Sequence, residues 1–369
     1  MRIGVNTLFL IPTEVGGTEI YVRGVLPAIL AEDPGIELVV FTNDENHESF
    51  ADFKRVRIPV KARSRVARVL AEQVALPRAV KRARIDALYS PGYTGPLRCP
   101  CPQAVTIYDA QFLDYPEDFP WLSRQTQRVI VSGVARRARA ITTVSEFSKG
   151  RIAQRFGVNP SRIFVAYSAL SGDFSEAQPC NEERPFLIYI AATYPHKNAT
   201  RLVNAFATIA DRIPHRLILI GQPRAGEPPT HPRVKRLHHI PYRELAGLLQ
   251  AADLMVFPSL YEGFGIPVVE AQEAGTRVIA ANAASIPEVG GEGATYFDGT
   301  SEASIAKAIL AALDEPHDLR ERYITAGKDN AKRFSWKACA QQTLAAIRFA
   351  AEGRNSLSQK TEEGAEIRD

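Results

Sequence analysis

Short apolar runs alternate with longer helical patterns along most of this sequence, and they do so in two successive series. Ile3 to Leu8 reads as a strand, Thr18 to Ala31 as an amphipathic helix and Ile36 to Phe41 as the next strand. Ala87 to Ser90 and Ala104 to Tyr108 read as short buried strands, Trp121 to Ala138 as a helix and Ala140 to Val144 as a strand. Continuous apolar strands separated by helices suit a parallel sheet covered on both faces, which makes the class α/β. Residues 171–185 (SGDFSEAQPCNEERP) interrupt the pattern with polar residues and two prolines, and read as a linker. The alternation then restarts. Strands are expected at Phe186 to Ala191, Arg216 to Ile220, Leu254 to Phe257 and Arg277 to Ala280. Helices are expected at Ala199 to Asp211, Arg243 to Ala251 and Pro267 to Ala274, the last closed by Gly275. Helical patterns from Ser304 to Leu313 and from Trp336 to Ala351 complete the series, and residues 353–369 read as a disordered tail. With 369 residues the chain is long enough for two doubly wound domains. Ligands of such domains bind beyond the carboxyl ends of the strands.

Composition narrows the setting. Hydrophobic residues make up 45% and charged residues 23%, ordinary for a globular protein. No stretch approaches the roughly 18 apolar residues of a membrane span. The start, Met1-Arg2-Ile3-Gly4-Val5, meets Pro12 and Glu14 too soon for a secretory signal, so a cytoplasmic protein is expected. Cys99, Cys101, Cys180 and Cys339 are expected to be reduced structural thiols, because Cys99-Pro100-Cys101 is neither a redox spacing nor a paired zinc spacing. The net charge of +4 is unevenly placed: residues 1–170 hold 23 basic and 16 acidic residues, a net +7. Between Lys54 and Arg84 there are eleven basic residues (among them Arg63, Arg65, Arg68, Lys81, Arg82 and Arg84) and one acid, Glu72. Interleaved with Val66, Val69, Leu70, Val74 and Leu76, this charge suits the inner face of an anionic membrane or an anionic acceptor, or else a solvated basic helix. No nucleic-acid motif accompanies it.

The densest chemistry lies in Pro258 to Glu270 (PSLYEGFGIPVVE), between a strand and a helix that Pro267 is expected to open. Gly263 and Gly265 let the backbone approach a ligand. The N–H groups of a helix start favour an anion such as a diphosphate. Glu262 in the loop and Glu270 in the expected first helical turn can accept hydrogen bonds from sugar and ribose hydroxyls. The plainer alternative is that Glu270 complements the helix dipole and Glu262 is a surface residue.

This block resembles the donor-site motif of family 4 of the retaining GT-B glycosyltransferases. The likeness runs on through Ala280 and Ser285-Ile286-Pro287-Glu288-Val289-Gly290, and spans most of the chain from Gly16 to Trp336. It implies a GT-B fold, two Rossmann-like domains facing a central cleft. Residues 1–172 would bind the acceptor and residues 173–336 the donor, with a last helix at about 337–352 packing back onto the first domain. By resemblance, Glu262 contacts the transferred sugar and Glu270 the ribose, while Gly263, Phe264, Gly265 and Ile266 hold sugar hydroxyls and phosphate. The loop Tyr194-Pro195-His196-Lys197-Asn198 is similar to one that sets a cation against the donor diphosphate, which falls on Lys197. A fixed cation there stabilises the leaving charge. Relatives often add an arginine. Here Thr193, counted on the donor side, and His196 stand nearby, which leaves the second cation open.

Val15-Gly16-Gly17-Thr18-Glu19 resembles the family's glycine-rich loop, with Gly17 toward the donor and Gly16 toward the acceptor, although a tight turn would look the same. Many relatives have His-Asp where this chain has Tyr108-Asp109. A tyrosine is a poor base at neutral pH, so Asp109 is the better group to orient an acceptor hydroxyl, with Tyr108 beside it. In Thr142 to Lys149, Ser145 and Glu146 fall on the acceptor side, though Ser145 reads equally well as a helix cap.

The resemblance implies transfer of a hexose with retention. The diphosphate leaves toward Lys197, the acceptor hydroxyl attacks from the same face, and its proton passes to the departing phosphate. No carboxylate pair is spaced like that of a retaining hydrolase. No Asp-x-Asp occurs, so no catalytic metal and no cofactor beyond the nucleotide sugar is expected. A GDP- or UDP-hexose such as GDP-mannose and a lipid-linked saccharide acceptor fit by analogy, in cell-surface polysaccharide or O-antigen synthesis. The region Ile240-Pro241-Tyr242 is expected to border the base. The alternatives are a nucleotide-sugar epimerase of the same architecture and an inactive nucleotide-sugar binder.

Overall fold

A computed structural model describes residues 1–352, apart from 15, 120, 171, 173, 223–227 and 239 and the side chains of 122, 123 and 175. The expected tail at 353–369, Val15 of the glycine-rich loop and two positions of the expected linker therefore lie outside the described residues. The chain divides into two compact units. One comprises Met1–Asp114, Phe119–Ala169 and the chain from Trp336; the other comprises Tyr115–Asp118 and Leu170–Ser335.

The first unit begins with β1 (Arg2–Asn6), α1 (Gly17–Glu32), β2 (Glu37–Thr42), β3 (Lys54–Arg57), α2 (Arg65–Arg82), β4 (Ala87–Ser90) and β5 (Gln103–Thr106). It continues with α3 (Gln111–Asp114), α4 (Trp121–Arg137), β6 (Ala140–Thr143), α5 (Glu146–Phe156) and β7 (Ile163–Val165). Its sheet is parallel throughout, in the order β3-β2-β1-β4-β5-β6-β7. The second unit carries β8 (Phe186–Ile190), α6 (Ala199–Ile209), β9 (Arg216–Ile220), β10 (Val234–Leu237), α7 (Tyr242–Ala251) and β11 (Leu254–Phe257). After these come α8 (Ile266–Ala274), β12 (Val278–Ala281), α9 (Ile286–Gly290), β13 (Ala294–Phe297), α10 (Glu302–Leu313) and α11 (His317–Ala331). Its parallel sheet runs β10-β9-β8-β11-β12-β13. Both sheets reverse direction of growth beside their first strand, between β1 and β4 and between β8 and β11, and such switch points are where doubly wound sheets bind ligands.

The strands β3, β7, β10 and β13 have no counterpart in the sequence reading, and all four are sheet edges. An edge pairs on one side only and tolerates charge, so β3 (KRVR) and β10 (VKRL) lack the apolar run that marks the central strands. The helices α9 and α11 were likewise not expected. α11 is largely exposed and polar, and α9 is a single short turn around Pro287.

The last helix, α12 (Trp336–Glu352), belongs to the first unit and packs on α1 and on β4 to β7. Cys339, Thr343, Leu344 and Ile347 are buried there. The Trp336 indole lies so close to α1 that a Cβ at Gly24 would sit 2.2 Å from its ring, so only glycine fits. Tyr21 meets Trp336 edge to face at 6.1 Å and Thr343 Oγ1 at 3.4 Å. The segment read as a linker is docked rather than loose. Phe174 joins the second unit's core, Gln178 N–H donates to Arg243 O at 3.0 Å, and Glu176 pairs with Arg243 at 2.5 Å.

In α2 the residues expected on one mixed face separate. Leu76 and Val80 turn inward with the core, while Val66, Leu70 and Val74, four residues apart, are 74%, 60% and 47% exposed. Among the described residues no helix is long and apolar enough to cross a membrane.

Candidate donor site

The site is built on the switch point of the second sheet. β8 and β11 pair directly, so the loops at their carboxyl ends lie side by side. Their joining is explicit: Leu260 N–H donates to His196 O at 2.8 Å, and Asn198 Nδ2 donates to Pro258 O at 3.0 Å and Gly299 O at 2.7 Å. Asn198 sits in the left-handed region (φ 65°), where asparagine is one of the few side chains tolerated. Ser259, fully buried, donates to Tyr261 O at 3.1 Å.

This stitching brings Lys197 and Glu262 together. Lys197 Nζ donates to Glu262 Oε2 at 2.7 Å, in a pair that is mostly shielded from solvent. The other carboxylate oxygen, Oε1, is buried and has no hydrogen-bond partner among the described residues. Leaving such an acceptor unmet costs about 1–3 kcal/mol, which a ligand hydroxyl would recover. The loop that carries Glu262 is held by Ser285, whose Oγ lies 2.9 Å from both Glu262 O and Phe264 O. Phe264 packs edge to face on Phe334 at 5.2 Å.

Helix α8 opens at Ile266, not at Pro267 as expected, with Gly265 as the cap residue at φ 106°. Pro267 has no N–H and Val268 N–H donates to Gly265 O at 3.0 Å, so the helix start offers the N–H of Ile266. Glu270 consequently lies in the second turn rather than the first, too far along to act as a dipole-compensating end group. It is 6% exposed, and its side chain has no hydrogen-bond partner among the described residues. Burial raises its pKa to about 7. A buried carboxyl group without a protein donor is suited to a ligand that brings its own hydroxyls.

The segment Tyr115–Asp118, which follows the Tyr108-Asp109 element in sequence, is counted with this unit. Asp118 Oδ2 meets His196 Nδ1 at 2.5 Å, and Tyr115 packs on His196 and on Tyr261. Burial and the Lys197 ammonium push His196 below its ordinary pKa, against the pull of Asp118 and Glu262. A neutral ring engaged with Asp118 is not the second cation that was left open. Thr193 is buried, and its N–H donates to Gln222 O at 3.2 Å. Tyr242, expected to border the base, opens α7 with its ring against Phe174 at 5.7 Å.

The residues expected on the acceptor side belong to the first unit. Gly16 caps α1 at φ 57° and Gly17 is its first residue. Tyr108 donates its hydroxyl to Pro91 O at 2.7 Å and packs between Tyr21 and Tyr93. Burial holds its pKa well above the ordinary value, and the half-buried hydroxyl is engaged as a donor. Asp109 Oδ1 accepts from Gln111 N–H at 3.0 Å at the start of α3. Ser145 caps α5, accepting from Ser148 N–H at 3.0 Å, and Glu146 is the first helical residue. Of the residues that shape this candidate site, Asn198 and Ser285 lie inside sequence motifs but have no expected role of their own. Asp118 carried no signal, because its partner is 78 residues away.

Two family models match in tandem: Glycosyltransferase Family 4 over residues 15–171 and Glycosyl transferases group 1 over residues 172–330. The chain is 31% identical to O-antigen chain mannosyltransferase B of Escherichia coli over 233 residues, covering 58% of this chain and 61% of that protein. It is 28% identical to MMP alpha-(1->4)-mannosyltransferase of Mycolicibacterium hassiacum over 58% of this chain and 54% of the other. The matches thus span a little over half the length of these curated relatives. Among solved structures, sucrose-phosphate synthase of Thermosynechococcus elongatus superposes with a TM-score of 0.73 at 18% identity, over 94% of this chain and 98% of that one. HepE of Anabaena in complex with UDP-glucose gives a TM-score of 0.69 at 19% identity, over 96% and 100%. With both of its units matched by these models and its fold shared with these enzymes, the chain belongs to family 4 of the GT-B glycosyltransferases.

Proposed function

We propose that this protein transfers a hexose from a nucleotide-diphosphate sugar to a hydroxyl of a saccharide or lipid-linked saccharide, with retention and without a metal. The observation that carries the reading is the buried, unmet Oε1 of Glu262 beside the Lys197 ammonium, at the start of α8. In this reading Glu262 accepts from a hydroxyl of the transferred sugar and Glu270 from the ribose. Lys197 and the positive end of α8 take up the charge of the departing diphosphate. The anomeric C–O bond to phosphate breaks as the acceptor oxygen bonds to the same face, and the acceptor proton passes to the departing phosphate oxygen. Tyr108 is not needed as a base on this route. Asp109 is the candidate to orient the acceptor hydroxyl.

The mannosyltransferases among the relatives favour GDP-mannose as donor and a cell-surface polysaccharide such as O-antigen as product. The UDP-glucose bound by the Anabaena relative keeps UDP-hexoses in view. The exposed stripe of α2 with its arginines supports a peripheral place on the inner face of the cytoplasmic membrane.

The test is release of nucleoside diphosphate from a panel of GDP-, UDP-, ADP- and dTDP-sugars in chelator, with and without lipid-linked acceptor extract. Release from one donor, dependent on extract, is the expected result. Release or isomerisation without any acceptor would point to hydrolysis or epimerisation instead, and binding without turnover to an inactive binder. Glu262→Ala should lower turnover at least about a hundredfold, the scale for losing a transition-state contact. Its far-ultraviolet dichroism should stay that of the wild type. Near-normal turnover in that variant would remove Glu262 from the chemistry.

A further inference from the structure

Residues 91–102 return the chain from the carboxyl end of β4 to the amino end of the parallel strand β5 without a helix. The last part of this crossover, Pro96 to Pro102, holds three prolines and two cysteines. It ends at the opposite end of the strands from the loops that carry Gly16 and Tyr108. The sequence reading took Cys99 and Cys101 for inert structural thiols. In the structure neither is in a disulfide, both are half-buried, and their Sγ atoms lie 3.7 Å apart. Pro100 between them has a fixed φ, which limits how far the two side chains can separate. The hydrogen bond from Cys101 holds the Cys99 thiol below its ordinary pKa. Both cysteines line a cavity of about 540 Å³ that is also bounded by Arg98, Arg137 and Arg139. Gln73 of α2 clips the loop from the other side, through Nε2 to Gly95 O at 3.0 Å and through Oε1 from Leu97 N–H at 2.8 Å.

We propose that Cys99 and Cys101 form a redox pair that closes reversibly to a disulfide by exchange with a small anionic disulfide of the glutathione class. A thiolate at Cys99 attacks one sulfur of the incoming disulfide, whose S–S bond breaks, and one small thiol leaves. The Cys101 thiolate then displaces the second small thiol and forms the intramolecular bond. Two electrons pass from the cysteine pair to the incoming disulfide, and the two cysteine protons end on the two released thiols. Disulfide formation closes the 3.7 Å between the sulfurs to roughly 2.05 Å. A ring closed across a single intervening residue is strained, and strained disulfides are the readily reduced, labile ones. The three guanidinium groups around the cavity select for a disulfide that carries carboxylates.

The experiment equilibrates the reduced full-length protein in graded mixtures of reduced and oxidised glutathione, quenches it in acid, alkylates remaining thiols and maps the peptides by mass. In the oxidising mixtures the peptide holding both cysteines should lose two hydrogens and escape alkylation, and dithiothreitol should reverse this. Cys180, half-buried and alone, serves as the internal control and should form only a glutathione adduct or none. Cys99→Ser and Cys101→Ser should each stop at the mixed disulfide, faster in Cys101→Ser, which keeps the attacking thiol. The uncharged disulfide of 2-mercaptoethanol should react several-fold more slowly than glutathione disulfide, with the gap narrowing at high salt. Full alkylation of both cysteines in the wild type, or only mixed disulfides there, would overturn the redox pair. Equal rates with the charged and uncharged disulfides would overturn the anionic ligand.

Discussion

The Glu270 carboxyl group is held where no described residue hydrogen-bonds it, and its burial raises the pKa to about 7 from an ordinary value of 4.5. Between those values the folded protein holds a proton that the unfolded chain has released. The resulting stability is present in full below about 4.5 and is lost as pH rises through about 7. Glu270→Gln cannot ionise, so it should be more stable than the wild type at pH 8, by about 3 kcal/mol, and nearly equal to it at pH 4.5. Thermal unfolding at the two pH values reads this difference, and a pH-independent offset would show that the carboxyl group is solvated. If the ribose is its partner, the same variant should bind nucleoside diphosphate more weakly at pH 8. Glu262 tells a related story from the other direction: one oxygen is fixed by Lys197 and the second is left unmet, so the group is oriented before any ligand arrives.

At the scale of elements, two short stretches of chain decide whether those residues meet. The loop before α8 turns at Gly265 with φ 106°, and nothing lies within 4 Å of where a Cβ would be. The cost of Gly265→Ala is therefore backbone strain rather than a clash, about 1–3 kcal/mol. A Tm lowered accordingly, together with weaker nucleoside diphosphate binding, is the expected outcome; an unchanged Tm would mean the loop relaxes without loss. Helix α2 shows a different device. Its inner residues Leu76 and Val80 anchor it to the core, while Val66, Leu70 and Val74 stay exposed between arginines. Replacing those three by serine should leave Tm within about 1 °C, because surface changes away from packed groups are nearly neutral. Binding to vesicles rich in anionic lipid should fall about tenfold or more, and wild-type binding should weaken with salt. Unchanged sedimentation with vesicles would assign the stripe another use.

Over the whole molecule, the first unit is closed by the last helix of the chain. Ending the chain at Ser335 removes Leu344 and Ile347 from its core, at about 1.5–3 kcal/mol each, together with the indole that fills the space at Gly24. Such a truncation should make residues 1–114 and 119–169 sensitive to protease while residues 170–335 keep their resistance and bind nucleoside diphosphate. Loss of both units at once would show that they fold as one. The central strands of both sheets, their helical crossovers and the glycine-marked loop from Pro258 to Glu270 were legible because buried parallel strands must be continuously apolar and tight loops must carry glycine. The four edge strands were not, because pairing on one side alone leaves charged sequences such as KRVR free to be strands. The glutamates and the lysine of the candidate donor site stood out by residue type and position. Their environment did not: that Lys197 binds Glu262, that Glu270 lies a turn deeper and is deprived of donors, and that Asp118 claims His196 depend on residues 65 to 78 positions apart meeting at one switch point. Local pattern fixes which elements form, since each is set by nearest neighbours along the chain. Burial and partnership are set by neighbours in space, and only the folded chain supplies them.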